Sequence, residues 1–321
     1  MKSSFIEKKI AFLGDSITQG GTFINYMRYY FLNAGERVYL FNRGNAGCRA
    51  EMALQMLEDE ILSSPFDIVF IQYGINDMGI WLYDSNKKVD EELLKKREIR
   101  TEKYLSSIRD IALKIKRKGI TPIFVTLVPV NERLDETQKI KTVADNKEKE
   151  DYIGPEFYTK KTFKNINEGC KYYSKKLVEL AKELEIEVVD MFNPFYSKML
   201  ENDGLFRVDG IHPTENGHLI MAKAFLAFMG CSGVNSECKY SEKQKKVIEV
   251  ERKIRGIQSF RRELFQETND FSEKELYELA VKEVDSNPGY SATTREGVKD
   301  FWFKIQELKD QELKLALDLY N

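Results

Sequence analysis

With 321 residues, 42% of them hydrophobic, the chain can bury a sizeable core and can hold about two domains at ~150 residues each. Its 50 Lys and Arg stand interspersed with 52 Asp and Glu, a net charge of −2 that excludes the basic field of a nucleic-acid binder. Four cysteines (Cys48, Cys170, Cys231, Cys238) without a CxxC pair exclude a disulfide framework and a zinc site, and imply free thiols in a reducing compartment.

The apolar run that opens the chain is too short for the core of a secretion signal, so a cytoplasmic protein is expected. A first strand is predicted over 9–14, "KIAFLG", and it breaks into Gly14-Asp15-Ser16-Ile17-Thr18. Two readings of that break compete. Asp15 or Ser16 can cap the helix predicted over 22–34, or Ser16 stands at the mouth of a sheet to attack an electrophile. The second strand, 37–42, runs into "NRGNAG" (42–47) and a helix over 50–63. The third, 67–74, runs into "GIND" (74–77), with Trp81 and Tyr83 just beyond. Taken singly, both loops read as turn chemistry, since Gly and Asn tolerate left-handed backbone. The first crossover lacks the GxGxxG of a dinucleotide site.

A helix over 91–118 and a strand over 121–129 follow. The next stretch, 131–165, is too long for an ordinary connection, and such loops are often functional. It is rich in Lys and Glu but also holds Tyr152, Phe157, Tyr158 and Phe163. A helix over 164–184 places Ile166, Cys170, Tyr173, Leu177, Ala181 and Leu184 on one face. The fifth strand is predicted over 186–192, and a helix over 215–229 closes the series. That last helix is short and carries Lys223, so it is no membrane span. Between them lies "VDGIHPTENGH", which holds both histidines of the chain. His212 sits in the loop three residues after Asp209, whereas His218 falls inside the helix and reads as a packing residue.

Each predicted strand is apolar without polar alternation, as in parallel strands covered on both faces. Alternation with helices argues for an open, doubly wound α/β sheet, whose ligands bind at the carboxyl ends of the strands. Ser16 lies at such an end. From about residue 233 the chain turns charged and helical, with Val247, Val250, Ile254 and Ile257 at three- and four-residue steps. The expected organisation is therefore 1–232 as the α/β domain and 233–321 as a helical appendage. The apolar faces of that appendage must dock on the core, on each other or on a second copy of the chain.

Taken together, "GDSIT" (14–18), "NRGNAG" (42–47), "GIND" (74–77) and "DGIH" (209–212) form an ordered set. In this set the chain resembles the SGNH (GDSL) hydrolase family over about residues 8–230. The resemblance implies a flavodoxin-like three-layer α/β/α fold with a five-stranded parallel sheet. It implies Ser16 as nucleophile, His212 as base and Asp209 as its orienting acid. It further implies an oxyanion hole of the Ser16 and Gly47 N–H groups and the Asn76 amide. The chemistry is coherent: a serine hydroxyl needs a base, imidazole serves near neutral pH, and the imidazole needs an acceptor on its other nitrogen.

Asp15 and Asp77, beside the nucleophile and the oxyanion asparagine, are read as shaping their turns. Asp15, Trp81 and Tyr83 are also counted as bordering the substrate. The expected activity is hydrolysis of short-chain esters, acetyl esters of a carbohydrate foremost, through an acyl-enzyme, with no metal or organic cofactor. The alternatives are a lipid-type esterase (lysophospholipase or thioesterase) and a binding module that keeps the fold without catalysis. The expected partner is a small-molecule ester, with no nucleic acid, and the C-terminal helices are a candidate surface for a homo-oligomer.

Overall fold

The computed structural model describes residues 2–83, 88–132, 166–207, 209–232, 240–267, 273–286 and 292–320. The aromatic residues expected in the long loop (Tyr152, Phe157, Tyr158, Phe163) and Cys238 lie outside these residues. Strands β1 (Lys9–Gly14), β2 (Tyr39–Gly44), β3 (Ile68–Gln72), β4 (Thr121–Val125) and β5 (Val188–Val189) form one sheet in the order β2-β1-β3-β4-β5. Every pairing is parallel, and Gly14 sits opposite Gly44 on one side and Gln72 on the other. The carboxyl ends of the three strands whose loops carry the motifs are thereby level.

Both faces of the sheet are covered, as the unbroken apolar strands require. Ala11, Leu13, Val69 and Ile71 pack in one layer with α3 (Ala50–Gln55), α5 (Glu91–Arg117) and α6 (Ile166–Leu184). Their neighbours Ile10, Phe12, Ile68 and Phe70 face the other way, toward α2 (Thr22–Ala34) and α8 (Glu215–Phe228). Two short helices, α1 (Ser16–Gly20) and α4 (Ile75–Met78), start at the ends of β1 and β3. The helix expected over 50–63 is α3 followed by a π-helical turn, Glu58–Leu62.

The fifth strand departs most from expectation. It stops at Val189, because the chain turns there into α7 (Phe192–Glu201), which buries Phe192, Phe195 and Met199 on one helical face. The Thr126 hydroxyl accepts the N–H groups of Met191 and Phe192 at 2.8 and 3.0 Å and so starts that turn.

Beyond residue 240 come α9 (Glu242–Glu267), α10 (Glu273–Ser286), α11 (Ala292–Phe301) and α12 (Ile305–Asp318). Val250, Ile254 and Ile257 of α9 form a cluster of their own with Leu276, Ala280, Val284, Val298, Trp302 and Leu308. Helices α9 and α12 also pack on β2, an edge strand of the sheet. An edge strand leaves backbone groups unpaired. Here Arg28 donates to Leu40 O at 2.5 Å, and the Asn42 N–H donates to Glu251 of α9 at 3.0 Å. Tyr320 closes the contact by donating to Val38 O at 2.7 Å.

Gly44 fixes how closely the serine turn approaches this edge. A Cβ there would lie 2.1 Å from Gln19 N and 2.5 Å from Thr18 C, both backbone atoms of α1. Gly119 has a left-handed φ of +77° but open space around it. Gly119→Ala should cost about 1–2 kcal/mol, the left-handed penalty alone. Gly44→Ala should cost about 3 kcal/mol or more, because backbone must move. Urea unfolding of the two variants checks the order, and equal losses would contradict the packing described.

Candidate active site

The serine turn is a strand running straight into a helix. Asp15 caps α1, its side chain accepting the Ile17 N–H at 2.9 Å. Ser16 is the first helical residue and is half-buried. The tightness of the turn explains Gly14, where a Cβ would meet Thr18 Oγ1 at 2.1 Å and Gln72 O at 2.8 Å.

The histidine arrives from the loop between α7 and α8. Asp209 organises that loop by accepting the N–H groups of Ile211 and His212 on one carboxylate oxygen, at 2.8 and 2.9 Å. Its other oxygen lies 2.7 Å from His212 Nδ1. His212 Nε2 in turn lies 2.9 Å from Ser16 Oγ. A carboxylate on Nδ1 selects the tautomer with its proton there, leaving the Nε2 lone pair to face the serine hydroxyl. Burial pushes the Asp209 carboxyl up, but the His212 ring and the two backbone N–H groups outweigh it and hold the group below its ordinary value. The group is therefore an anion when the imidazole needs one. Such a chain can draw a proton from Ser16.

Gly47 is exposed, with φ of 68°, at the tip of the loop after β2. That loop is tied to the serine strand, since Asn45 N donates to Gly14 O at 2.8 Å. Asn76 is half-buried and gives one amide hydrogen to Cys48 O at 3.1 Å. A primary amide has two N–H groups, so the bond to Cys48 orients the side chain and leaves a donor over. Asp77 accepts the Ala50 N–H at 2.9 Å and locks the Gly47 loop to α4. The structure thus joins Ser16, His212 and Asp209 directly, and joins Gly47 to Asn76 through Cys48.

Two of the three side chains expected to border the substrate are buried. Asp15 is 2% exposed and spent on its cap; burial raises its carboxyl to about 6. Tyr83 is 6% exposed, wedged beneath the Arg97 guanidinium at 4.2 Å and against Gly169. Trp81 keeps part of its surface and lies under Arg100 at 4.8 Å. His218 is buried against Phe23, and burial lowers its pKa to about 4, so it packs.

Sequence reasoning missed Arg100 of α5, which donates to the carbonyls of Asp77 at 2.8 Å and Asn76 at 3.3 Å. An arginine on a long charged helix carries no local signal of this. With Arg49, Glu51, Asp77, Lys103 and Tyr104 it lines a cleft of about 140 Å³. Among the described residues no cluster of three or more His, Cys, Asp or Glu could hold a metal ion. No described helix is long and apolar enough to cross a membrane.

Residues 12–220 match the GDSL-like Lipase/Acylhydrolase family. A curated relative, the GDSL esterase/lipase WDL1 of Oryza sativa subsp. japonica, is 28% identical over 193 residues, 58% of this chain and 64% of the relative. The chain thus spans less than two thirds of that relative. Among solved structures, a gut microbial diltiazem-metabolizing enzyme, BT4096, has a TM-score of 0.72 at 15% identity, covering 100% of this chain and 96% of its own. Axe2, an acetylxylan esterase from Geobacillus stearothermophilus, has a TM-score of 0.52 at 21% identity, covering 72% and 98%. At these identities the likeness is one of fold. With BT4096 it extends through the C-terminal helices.

The buried acid beside Asn76 generates a prediction. Burial lifts the Asp77 carboxyl from 3.8 to about 7, aided by the Asp15 charge and opposed by the Ala50 N–H bond and Arg49. The folded state thus keeps a proton that the unfolded chain has lost, and stability from this group falls as pH rises through about 7. Asp77→Asn removes that dependence. Its stability relative to the parent should rise between pH 4 and 8 by an amount on the order of 3–4 kcal/mol, at ~1.4 kcal/mol per pKa unit. Urea unfolding across that range checks it; a difference constant with pH would contradict the assignment.

Proposed function

Because the chain belongs to the GDSL-like lipase/acylhydrolase family, we propose that it is a serine esterase releasing short acyl groups, acetyl foremost, from a hydroxylated carbohydrate-type substrate. One observation carries this reading: the run Asp209 Oδ2 to His212 Nδ1 at 2.7 Å and His212 Nε2 to Ser16 Oγ at 2.9 Å.

On this reading Ser16 Oγ attacks the ester carbonyl while His212 Nε2 takes its proton. The imidazolium that forms is stabilised by the Asp209 carboxylate. The carbonyl oxygen becomes an oxyanion, and the Ser16 and Gly47 N–H groups and the remaining Asn76 N–H receive it. Preorganised donors of this kind are worth about 3–4 kcal/mol each. The tetrahedral intermediate collapses as His212 returns the proton to the leaving alcohol. Water then attacks the acyl-Ser16 carbonyl with His212 again as base, releasing the carboxylic acid and the free hydroxyl.

Support for a short acyl group comes from the charged residues near Asn76. A long chain needs an apolar trough, at ~0.8 kcal/mol per buried CH₂. Arg100, which bonds the carbonyls of Asn76 and Asp77, instead lines a cleft with Arg49, Glu51, Asp77, Lys103 and Tyr104. Charged walls favour a hydroxylated ligand. The fold shared with Axe2, an acetylxylan esterase, supports the same reading.

Ser16→Ala should abolish ester hydrolysis with the circular-dichroism spectrum unchanged. Asp209→Asn should lower kcat by about 10⁴-fold in a folded protein, because the amide presents the wrong polarity to Nδ1. If Asp15→Asn gave the larger loss, the orienting acid would be misassigned. Across p-nitrophenyl esters, kcat/KM should peak at acetyl and fall steeply above about six carbons, for want of an apolar trough. A maximum at about eight carbons or more would replace the sugar-ester reading with a lipid one.

A further inference from the structure

Helices α9 and α12 lie outside residues 12–220, the span that matches the family, yet they grip the end of β2 and the start of the loop that carries Gly47. Of the six residues from Asn42 to Gly47, three are bonded to these helices. The Asn42 N–H donates to Glu251 Oε1 at 3.0 Å. Arg43 pairs in bidentate fashion with Glu312, at 3.0 and 2.6 Å, the two side chains being 2% and 0% exposed. Asn45 Nδ2 donates to Gln258 O at 3.3 Å, and the Gln258 amide is itself bonded to Glu60. Glu251 is held by Arg28 at 3.0 and 2.5 Å, with both side chains almost fully buried.

Asn45 is the link to the reacting atoms. Its N–H holds Gly14 O of the serine strand at 2.8 Å, and its carbonyl accepts the Cys48 N–H at 3.1 Å. Cys48 O in turn receives the Asn76 amide. A shift of α9 or α12 is therefore passed through Asn42, Arg43 and Asn45 to Gly47 and Asn76. Apolar packing alone could attach the helices, but it would tolerate sliding. A buried bidentate pair tolerates little, since displacement leaves a charge unpaired out of water.

We infer that the C-terminal helices position the oxyanion hole, with Glu312 and Glu251 as positioning residues for Gly47 and Asn76. The inference rests on the proposed role of Gly47 and Asn76 as oxyanion donors. The loss expected from misplacing them is about 10- to 100-fold in rate, since errors near 1 Å cost that much.

The test uses the full-length chain and p-nitrophenyl acetate, below the melting temperature of every variant. Wild type and Ser16→Ala are measured first. Turnover that survives Ser16→Ala would sink the esterase reading itself, separately from this inference. Glu312→Gln and Arg43→Lys, which keep bulk but lose the charged fork, should lower kcat by about 10- to 100-fold with KM within about threefold. A trifluoromethyl ketone, which becomes a tetrahedral oxyanion adduct on serine, should lose affinity by a similar factor. Val284→Ala, inside the cluster of the C-terminal helices but on α10, should lower the melting temperature and leave kcat unchanged. Should Glu312→Gln not fold, Asn45→Ala removes one bond to α9, keeps both ion pairs and faces the same criteria. A lowered melting temperature with kcat and ketone affinity at wild-type values would overturn the inference. So would a fall in kcat that the ketone does not share.

Discussion

The 2.9 Å contact between His212 Nε2 and Ser16 Oγ joins residues 196 positions apart, and the chemistry proposed here depends on it. Asp209 holds the His212 loop, and a layer of aromatic packing joins the elements that carry the two residues. Phe12 of β1 stacks on Phe70 of β3 at 5.1 Å and meets Phe225 of α8 edge-on at 5.2 Å. Phe23 of α2 stacks on Phe225 at 5.2 Å and on His218 at 6.0 Å. The strand that ends at the serine turn and the helix that follows the His212 loop are thus fastened through rigid rings. Such a layer resists compression, so the two loops above it keep a fixed separation.

A second constraint acts from the side. Strand β2 is an edge strand, and its unpaired backbone must be satisfied. Burying carboxylates and guanidinium groups there gains little stability over apolar packing, because desolvation offsets most of the attraction. Direction is what the charges add. The pairs Arg28–Glu251 and Arg43–Glu312 fix the edge strand, from whose end the Gly47 loop departs. The same strand abuts α1 at Gly44, its last residue, with no room for a Cβ. Direct contacts therefore link the serine turn, the glycine loop and the C-terminal helices.

Much of this was legible in the sequence, and for a local reason. The serine turn, the glycine loop and the Asn76 segment are short runs at strand ends, and the Asp209–His212 loop is a short run before a helix; in such places backbone demands show in residue type. The strand over 9–14 and the helix over 22–34 carry unbroken patterns and fall where expected. Two kinds of feature were not legible. Tyr83 and Trp81 follow the same strand end, and only packing distinguishes the buried ring from the half-exposed one. Met191 and Phe192 extend an apolar run, but the Thr126 hydroxyl and the burial of Phe195 and Met199 make the segment a helix. The grip of Glu312 on Arg43 spans 269 positions, a pairing no local pattern encodes.

The most direct test of the central claim is covalent labelling with a fluorophosphonate, read by intact mass and peptide mapping. The account predicts one adduct per chain, on Ser16, formed at a rate that collapses in His212→Ala while that protein stays folded. A hydroxyl with an imidazole at hydrogen-bond distance reacts; an unassisted serine does not. An actively hydrolysing protein whose adduct lay on another residue, or whose Ser16 reacted equally fast without His212, would contradict it.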